Sequence, residues 1–139
     1  MHWSTTAPNM NITVYSRDRL YQTFNHWEVP GDFADPVANY LIYGYHPGSC
    51  FSAVLANDFI GAIRSSHPSN TVEAFKALAG WMYNHLPLQA YGSYDQVNAW
   101  CELGPMERRM ILESKDLIYT EQEEIMMGLR GVSKQVQFG

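Results

Sequence analysis

The sequence predicts an all-α fold, a compact bundle of about six helices joined by short loops. Three observations predict it. Apolar residues recur at helical spacing in nearly every segment between Leu20 and Leu129. Pro, Gly, Ser and Asn cluster between those segments, where a chain must stop and turn. The one β-prone run covers residues 12–15, enough for a minor N-terminal strand at most.

The elements follow in order. Residues 1–11 are polar and aperiodic, a loose N-terminal tail. Leu20, Phe24 and Trp27 fall at i, i+4 and i+7, and Val29-Pro30-Gly31 ends that helix. Asp35-Pro36 reads as N-cap and first helical residue of the next, with Val37, Tyr40 and Leu41 on one face and Gly44 as its stop. His46-Pro47-Gly48-Ser49 is a turn, with Ser49 placed to cap a helix over residues 50–65. Phe51, Val54, Leu55, Phe59, Ala62 and Ile63 trace that helix's inward stripe. Asn70 with Glu73 opens a helix carrying Val72, Phe75, Leu78, Ala79, Met82 and Leu86 until Pro87. Ser93 with Gln96 forms a capping box before Tyr94, Val97, Trp100 and Cys101. The last helical region starts at Pro105 or Met106, with Met110, Ile111, Leu117 and Ile118 apolar. Thr120 with Glu123 is a second capping box, which places a break near Tyr119. Ile125, Met126 and Leu129 then face the core.

The chain has 139 residues, the size of one domain, with residues 12–139 as a single helical unit. Hydrophobic residues at 46% and charged residues at 17% exclude a disordered chain. Lys and Arg total 9 against 14 Asp and Glu, a net charge of −5, and no basic run occurs. That balance argues against nucleic acid and anionic membrane as partners. No stretch approaches a membrane span, Cys50 and Cys101 form no CxxC, and no leader is visible, so the expected location is the cytoplasm.

The run Tyr45-His46-Pro47-Gly48-Ser49-Cys50-Phe51-Ser52-Ala53-Val54-Leu55-Ala56-Asn57-Asp58-Phe59 resembles a motif of small proteins encoded by bacteriophages and prophages. In that motif Pro-Gly and a small residue precede Phe, then Ala-Val-Leu, one free position and Asn-Asp. The likeness continues through Asn70, Trp81-Met82-Tyr83-Asn84, Pro87, Gly92-Ser93 and Val97 to Trp100, about residues 40–101 in all. The resemblance implies a phage origin and expression inside a host bacterial cell. It implies no reaction.

The residues themselves offer little chemistry. No two of His2, His26, His46, His67 and His85 stand three or four apart, so no helix face presents a metal pair, and neither metal nor cofactor is expected. Cys50 sits near a helix start, where a thiolate is favoured, and one turn from the apolar stripe, where a buried thiol is ordinary. No nucleophile elbow, zinc-protease helix, Walker loop or dinucleotide fingerprint occurs, and the chain is expected to be no enzyme. From Glu102 to Glu124 seven acids alternate with Arg108, Arg109 and Lys115, the pattern of a solvated helix face.

Binding is the remaining class. Aromatics make up 14% of the chain, and helix stripes absorb the Phe and Trp better than the Tyr. Tyr43 and Tyr45 flank a turn in which Gly48 permits close approach and Ser49 adds a hydroxyl at a helix start, a place to hold an anion or simply a cap. Asn57 and Asp58 are poor helix formers in mid-helix, either hydrogen-bonded to the loop near Tyr91 or contacting a ligand. Arg64 ends the same helix, one helix length from Ser49. Tyr43, Tyr45, Gly48, Ser49, Asn57, Asp58, Arg64 and Tyr91 are therefore the candidate ligand contacts. The expected function is non-catalytic capture of a small host ligand of the cyclic-nucleotide signal type, in a homo-oligomer. The other expectation is an inhibitor or adaptor that presents a Tyr-rich or acidic surface to a host protein.

Overall fold

The structure, a computed structural model, describes residues 12–130. Residues 1–11, expected as a loose tail, and residues 131–139 lie outside that range. The described residues are all-α: helices α1 (Val14–His26), α2 (Gly31–Tyr43), α3 (Ser49–Leu55), α4 (Phe59–Ser65), α5 (Val72–His85), α6 (Tyr94–Glu102), α7 (Pro105–Ser114) and α8 (Glu121–Met126), with a 3-10 turn at Leu88–Ala90 before α6.

No strand forms over residues 12–15. Thr13 instead caps α1, its hydroxyl accepting the Ser16 N–H at 3.1 Å. Local β preference yields because Thr13 and Ser16 are needed, buried, against Glu124. α2 begins at Gly31, four residues before the expected cap. Asp35 accepts the Tyr21 hydroxyl at 2.6 Å rather than capping, and Pro36 lies inside the helix. The ring of Pro36 removes the bond to the Asp32 carbonyl, a loss that solvent makes good because Asp32 is exposed. Gly44 ends α2 in the left-handed conformation, as expected.

α2 is the central helix. It packs on α1, α5, α6 and α7 and buries seven of its thirteen residues, which is why it reads as apolar nearly all round. Tyr40 is fully buried, donating its hydroxyl to the Ala90 carbonyl at 2.7 Å, and the Trp100 indole N–H returns to the Tyr40 carbonyl at 3.0 Å. Phe24 of α1 stacks on Trp81 of α5 at 4.2 Å between centroids, and the Trp81 indole N–H reaches Thr23. Polar edges of large aromatics thus find partners inside the core.

The helix expected over residues 50–65 is two helices. α3 ends with the Asn57 N–H on the Val54 carbonyl and the Asp58 N–H on the Ala53 carbonyl, a Schellman closure with Asn57 at φ 64°. Asp58 then caps α4 by accepting the Gly61 N–H at 2.9 Å. Two poor helix formers in mid-helix are a stop and a start. The single inward stripe fails with the helix: Phe59 is 72% exposed and Ile63 49%. Neither does Ser49 cap α3. Gly48 holds the N-cap position, and Ser49 is the first helical residue.

At the other end, the expected break is present, since α7 stops at Ser114 and the Thr120–Glu123 capping box opens α8. Ile125 and Met126, expected inside, are exposed, and so is Met110. Nor is the charged segment a solvated face. Arg108, Arg109 and Glu124 are buried, and Arg109 pairs with Glu124 at 2.8 Å and with Glu113 at 2.7 Å. Arg108 reaches back to the Ile42 and Leu103 carbonyls, so it serves the open end of α2. No helix among the described residues is long and apolar enough to cross a membrane.

Candidate functional site

The α3–α4 break makes the candidate site. Folding α4 back against α3 opens a polar cleft of about 350 Å3 lined by His46, Ser49, Ser52, Asp58, Arg64 and Tyr94. In an unbroken helix Ser49 and Arg64 would stand fifteen residues, about 22 Å, apart. Here they face one hollow. The hairpin is fixed on its far side, where the Gly92 N–H takes the last carbonyl of α3, that of Leu55, at 2.8 Å.

Asp58 organises the cleft. One carboxylate oxygen accepts the Gly61 N–H and the other the Tyr94 hydroxyl, which ties α4 to α6. The Tyr94 hydroxyl, with the Gly61 N–H second, holds the Asp58 carboxyl below the usual carboxylate range, and Asp58 in turn pushes the Tyr94 hydroxyl up. Arg64 is exposed and forms no ion pair among the described residues. Among the described residues it is the one cation that lines the cleft, and its charge also helps to keep the Asp58 carboxyl ionised.

His46 and Ser52 are 3.1 Å apart, the spacing of a base and a nucleophile. The ring's Nδ1 accepts the Gly48 N–H at 3.3 Å, which leaves the proton on Nε2. Nε2 then donates to Ser52 Oγ instead of taking its proton. Cys50 points elsewhere, its thiol against the Ala62 carbonyl at 3.6 Å, and burial pushes its pKa up, away from the thiolate. Among the described residues no group of His, Cys, Asp and Glu is placed to hold a metal.

A second hollow, about 510 Å3 and almost wholly apolar, lies between α4 and α5. Val54, Phe59, Ile63, Val72, Phe75 and Lys76 line it, with Asn57 and Asp58 at the border it shares with the cleft. Phe75 is held from behind by an edge contact with Phe33, at 5.0 Å between centroids, and Phe33 makes the same contact with Phe51.

Of the eight expected contacts, Ser49, Asp58 and Arg64 meet in the cleft. Asn57 goes to the apolar hollow, and Gly48, at φ 90°, shapes the turn and orients His46. Tyr43 and Tyr45 stack on each other at 5.2 Å near Arg17, whose guanidinium reaches the Tyr43 hydroxyl. Tyr91 packs half-buried on the core. Sequence reasoning missed Ser52. It reached His46 only as a base for Cys50, and Tyr94 only as one of the surplus tyrosines at 91–94, beside the loop to which Asp58 was expected to bond; the Tyr94–Asp58 tie itself spans 36 residues. No family model, curated protein or solved structure matches the chain.

Proposed function

We propose that the chain is a non-enzymatic, phage-encoded protein that captures a small anionic host ligand of the nucleotide class in the α3–α4 cleft. One observation carries this reading: the helix break turns Arg64, free of ion pairs among the described residues, onto the same hollow as the Ser49 and Ser52 hydroxyls. A guanidinium with nearby hydroxyl donors suits a phosphate oxygen. The cleft's volume lies at the lower end of the small-ligand range, enough for one phosphate and part of its sugar or base. One Arg per chain is little for a diphosphate signal, and a second copy would add another, which supports a homo-oligomer in the host cytoplasm. The phage setting rests on the likeness of residues 40–101.

Thermal denaturation with a panel of cyclic mono- and dinucleotides tests the reading. A ligand at a hundredfold excess over its Kd adds about 2.7 kcal/mol, a rise of roughly 8 °C. Arg64→Ala removes the rise. A panel without any shift, or a shift that survives both Arg64→Ala and Ser49→Ala, overturns the proposal. The adaptor reading keeps one supporting observation: Tyr45 and Tyr83 are exposed at 62% and 87%, as at the rim of a protein interface. Capture of one host protein, lost on Tyr45→Ala or Tyr83→Ala, would favour it.

A further inference from the structure

Trp27 closes α1 and is only half-buried. Its ring rests on α5 at Gly80, where a Cβ would stand 2.8 Å from the indole. Further along α5, His85 accepts the Trp27 indole N–H on Nε2 at 3.1 Å. An indole N–H can only donate, so that nitrogen is unprotonated and the imidazole's one proton sits on Nδ1. The bond therefore needs a neutral His85. A second proton would land on Nε2 and set two donors against each other.

The surroundings oppose that proton. Burial first, then Lys115 just after α7 and His26 on α1, hold the His85 pKa below the usual histidine value. The last turn of α5 favours a cation, but no carboxylate pairs with the ring among the described residues. Glu28 and Glu73 instead line, with Trp27, a hollow of about 270 Å3. Trp81 covers His85 from its own helix, at 6.0 Å between centroids, and carries no charge.

We propose that Trp27 and His85 form a pH-sensitive latch: a neutral His85 holds the end of α1 on α5, and its protonation frees Trp27 from the Gly80 seat and opens the hollow that the indole walls. Release is local. The rest of α1 is held to α5 by the Phe24–Trp81 stack and by the Trp81 indole N–H on Thr23. The folded pKa of His85 lies below the unfolded one, so the latch's contribution to folding is complete above the unfolded value of about 6.5 and is lost as pH falls through the folded one. The latch stands apart from the α3–α4 cleft and does not depend on what that cleft binds.

Indole N–H signals followed by NMR through a pH titration test this, with Trp27→Phe assigning the Trp27 signal. As pH falls, that signal moves to the position of a free indole, with a midpoint below about 6.5, while the helical circular dichroism is unchanged. His85→Gln keeps an acceptor with nothing to titrate, so its Trp27 signal stays at the bonded position throughout. Gly80→Ala suits the helix but crowds the ring off its seat, and it shifts the signal toward the free position at neutral pH. His26→Gln leaves the transition in place. A Trp27 signal that does not titrate, a midpoint above about 6.5, a transition that persists in His85→Gln or vanishes in His26→Gln, or an unmoved signal in Gly80→Ala overturns the inference. So does release that comes only with loss of helix.

Discussion

The carboxylate of Glu124 is fully buried and, among the described residues, takes hydrogens from the Thr13 N–H and hydroxyl, the Ser16 hydroxyl, Arg109 and Arg130. Through it α8 is fastened to the first turn of α1. Glu124→Ala takes the acceptor away and leaves two buried hydroxyls and the Arg109 guanidinium short of it. Breaking a buried pair from one side costs about 3–5 kcal/mol. The lower end applies here. Arg109 keeps Glu113 at 2.7 Å and the Tyr119 carbonyl at 3.2 Å, and Arg130 is 27% exposed. A loss of about 3 kcal/mol corresponds to a fall in Tm of roughly 10 °C for a chain of this size.

Urea denaturation followed by circular dichroism measures it, with Glu113→Ala as the internal reference. Glu113 also pairs with Arg109 and accepts the Glu121 N–H at 3.1 Å, but its side chain is 21% exposed and Arg109 keeps Glu124, so its removal costs about 1 kcal/mol. In Arg109→Met/Glu124→Ala the stranded guanidinium is gone, and part of the loss returns. If Glu124→Ala costs no more than Glu113→Ala, the buried carboxylate does not fasten α8, and the reasoning fails.

Three further outcomes follow from the hairpin and from the end of α2. Asn57→Gly leaves stability unchanged or raises it by a few tenths of a kcal/mol, whereas Asn57→Val costs about 1–2 kcal/mol, because φ 64° suits Gly and opposes a branched side chain; thermal denaturation separates the two. Gly44→Ala costs about 2 kcal/mol or more in the same assay, since φ is 73° and a Cβ would stand 2.7 Å from the Arg108 guanidinium. The folded pKa of Asp58 is below its unfolded value, so its contribution to folding is complete above the unfolded pKa and is lost as pH falls through the folded one; Tyr94→Phe removes the larger cause and raises the Asp58 midpoint in an NMR titration, and an unmoved midpoint would refute the Asp58–Tyr94 bond.

Helix type was legible in the sequence because packing and pattern agree. Leu20 and Phe24, Val37 with Tyr40 and Leu41, and Val97 with Trp100 lie on the faces their spacing predicts, and all are buried. Helix ends were legible where punctuation was conventional, as at Gly44, Ser93 and Thr120. One was hidden where a non-glycine residue closes a helix inside an apolar stripe, at Asn57, whereas Val29-Pro30-Gly31 and the Thr120 cap flagged the stops near Glu28 and Asp116. Glu28, Asn57 and Asp116 all have positive φ, at 60°, 64° and 59°. Each closes its helix with the same pair of hydrogen bonds, such as Val29 to the Phe24 carbonyl and Leu117 to that of Leu112. A carboxylate or amide side chain in such a place looks like part of a polar face.

The misreading at Asn57 also hid the site. In a continuous helix, Arg64 is remote from Ser49, Phe59 belongs to the core, and Asp58 is an anomaly. Breaking the helix at the residue with the best left-handed tolerance resolves all three at once. Arg64 swings onto the cleft, Phe59 is carried out to the apolar hollow, and Asp58 becomes the cap that binds α4 to α6 through Tyr94. One cap residue therefore borders both hollows. Because Asp58 meets the polar cleft on one side and the apolar hollow on the other, a ligand that drew away Tyr94 would loosen the start of α4, the helix that carries Phe59 and Ile63.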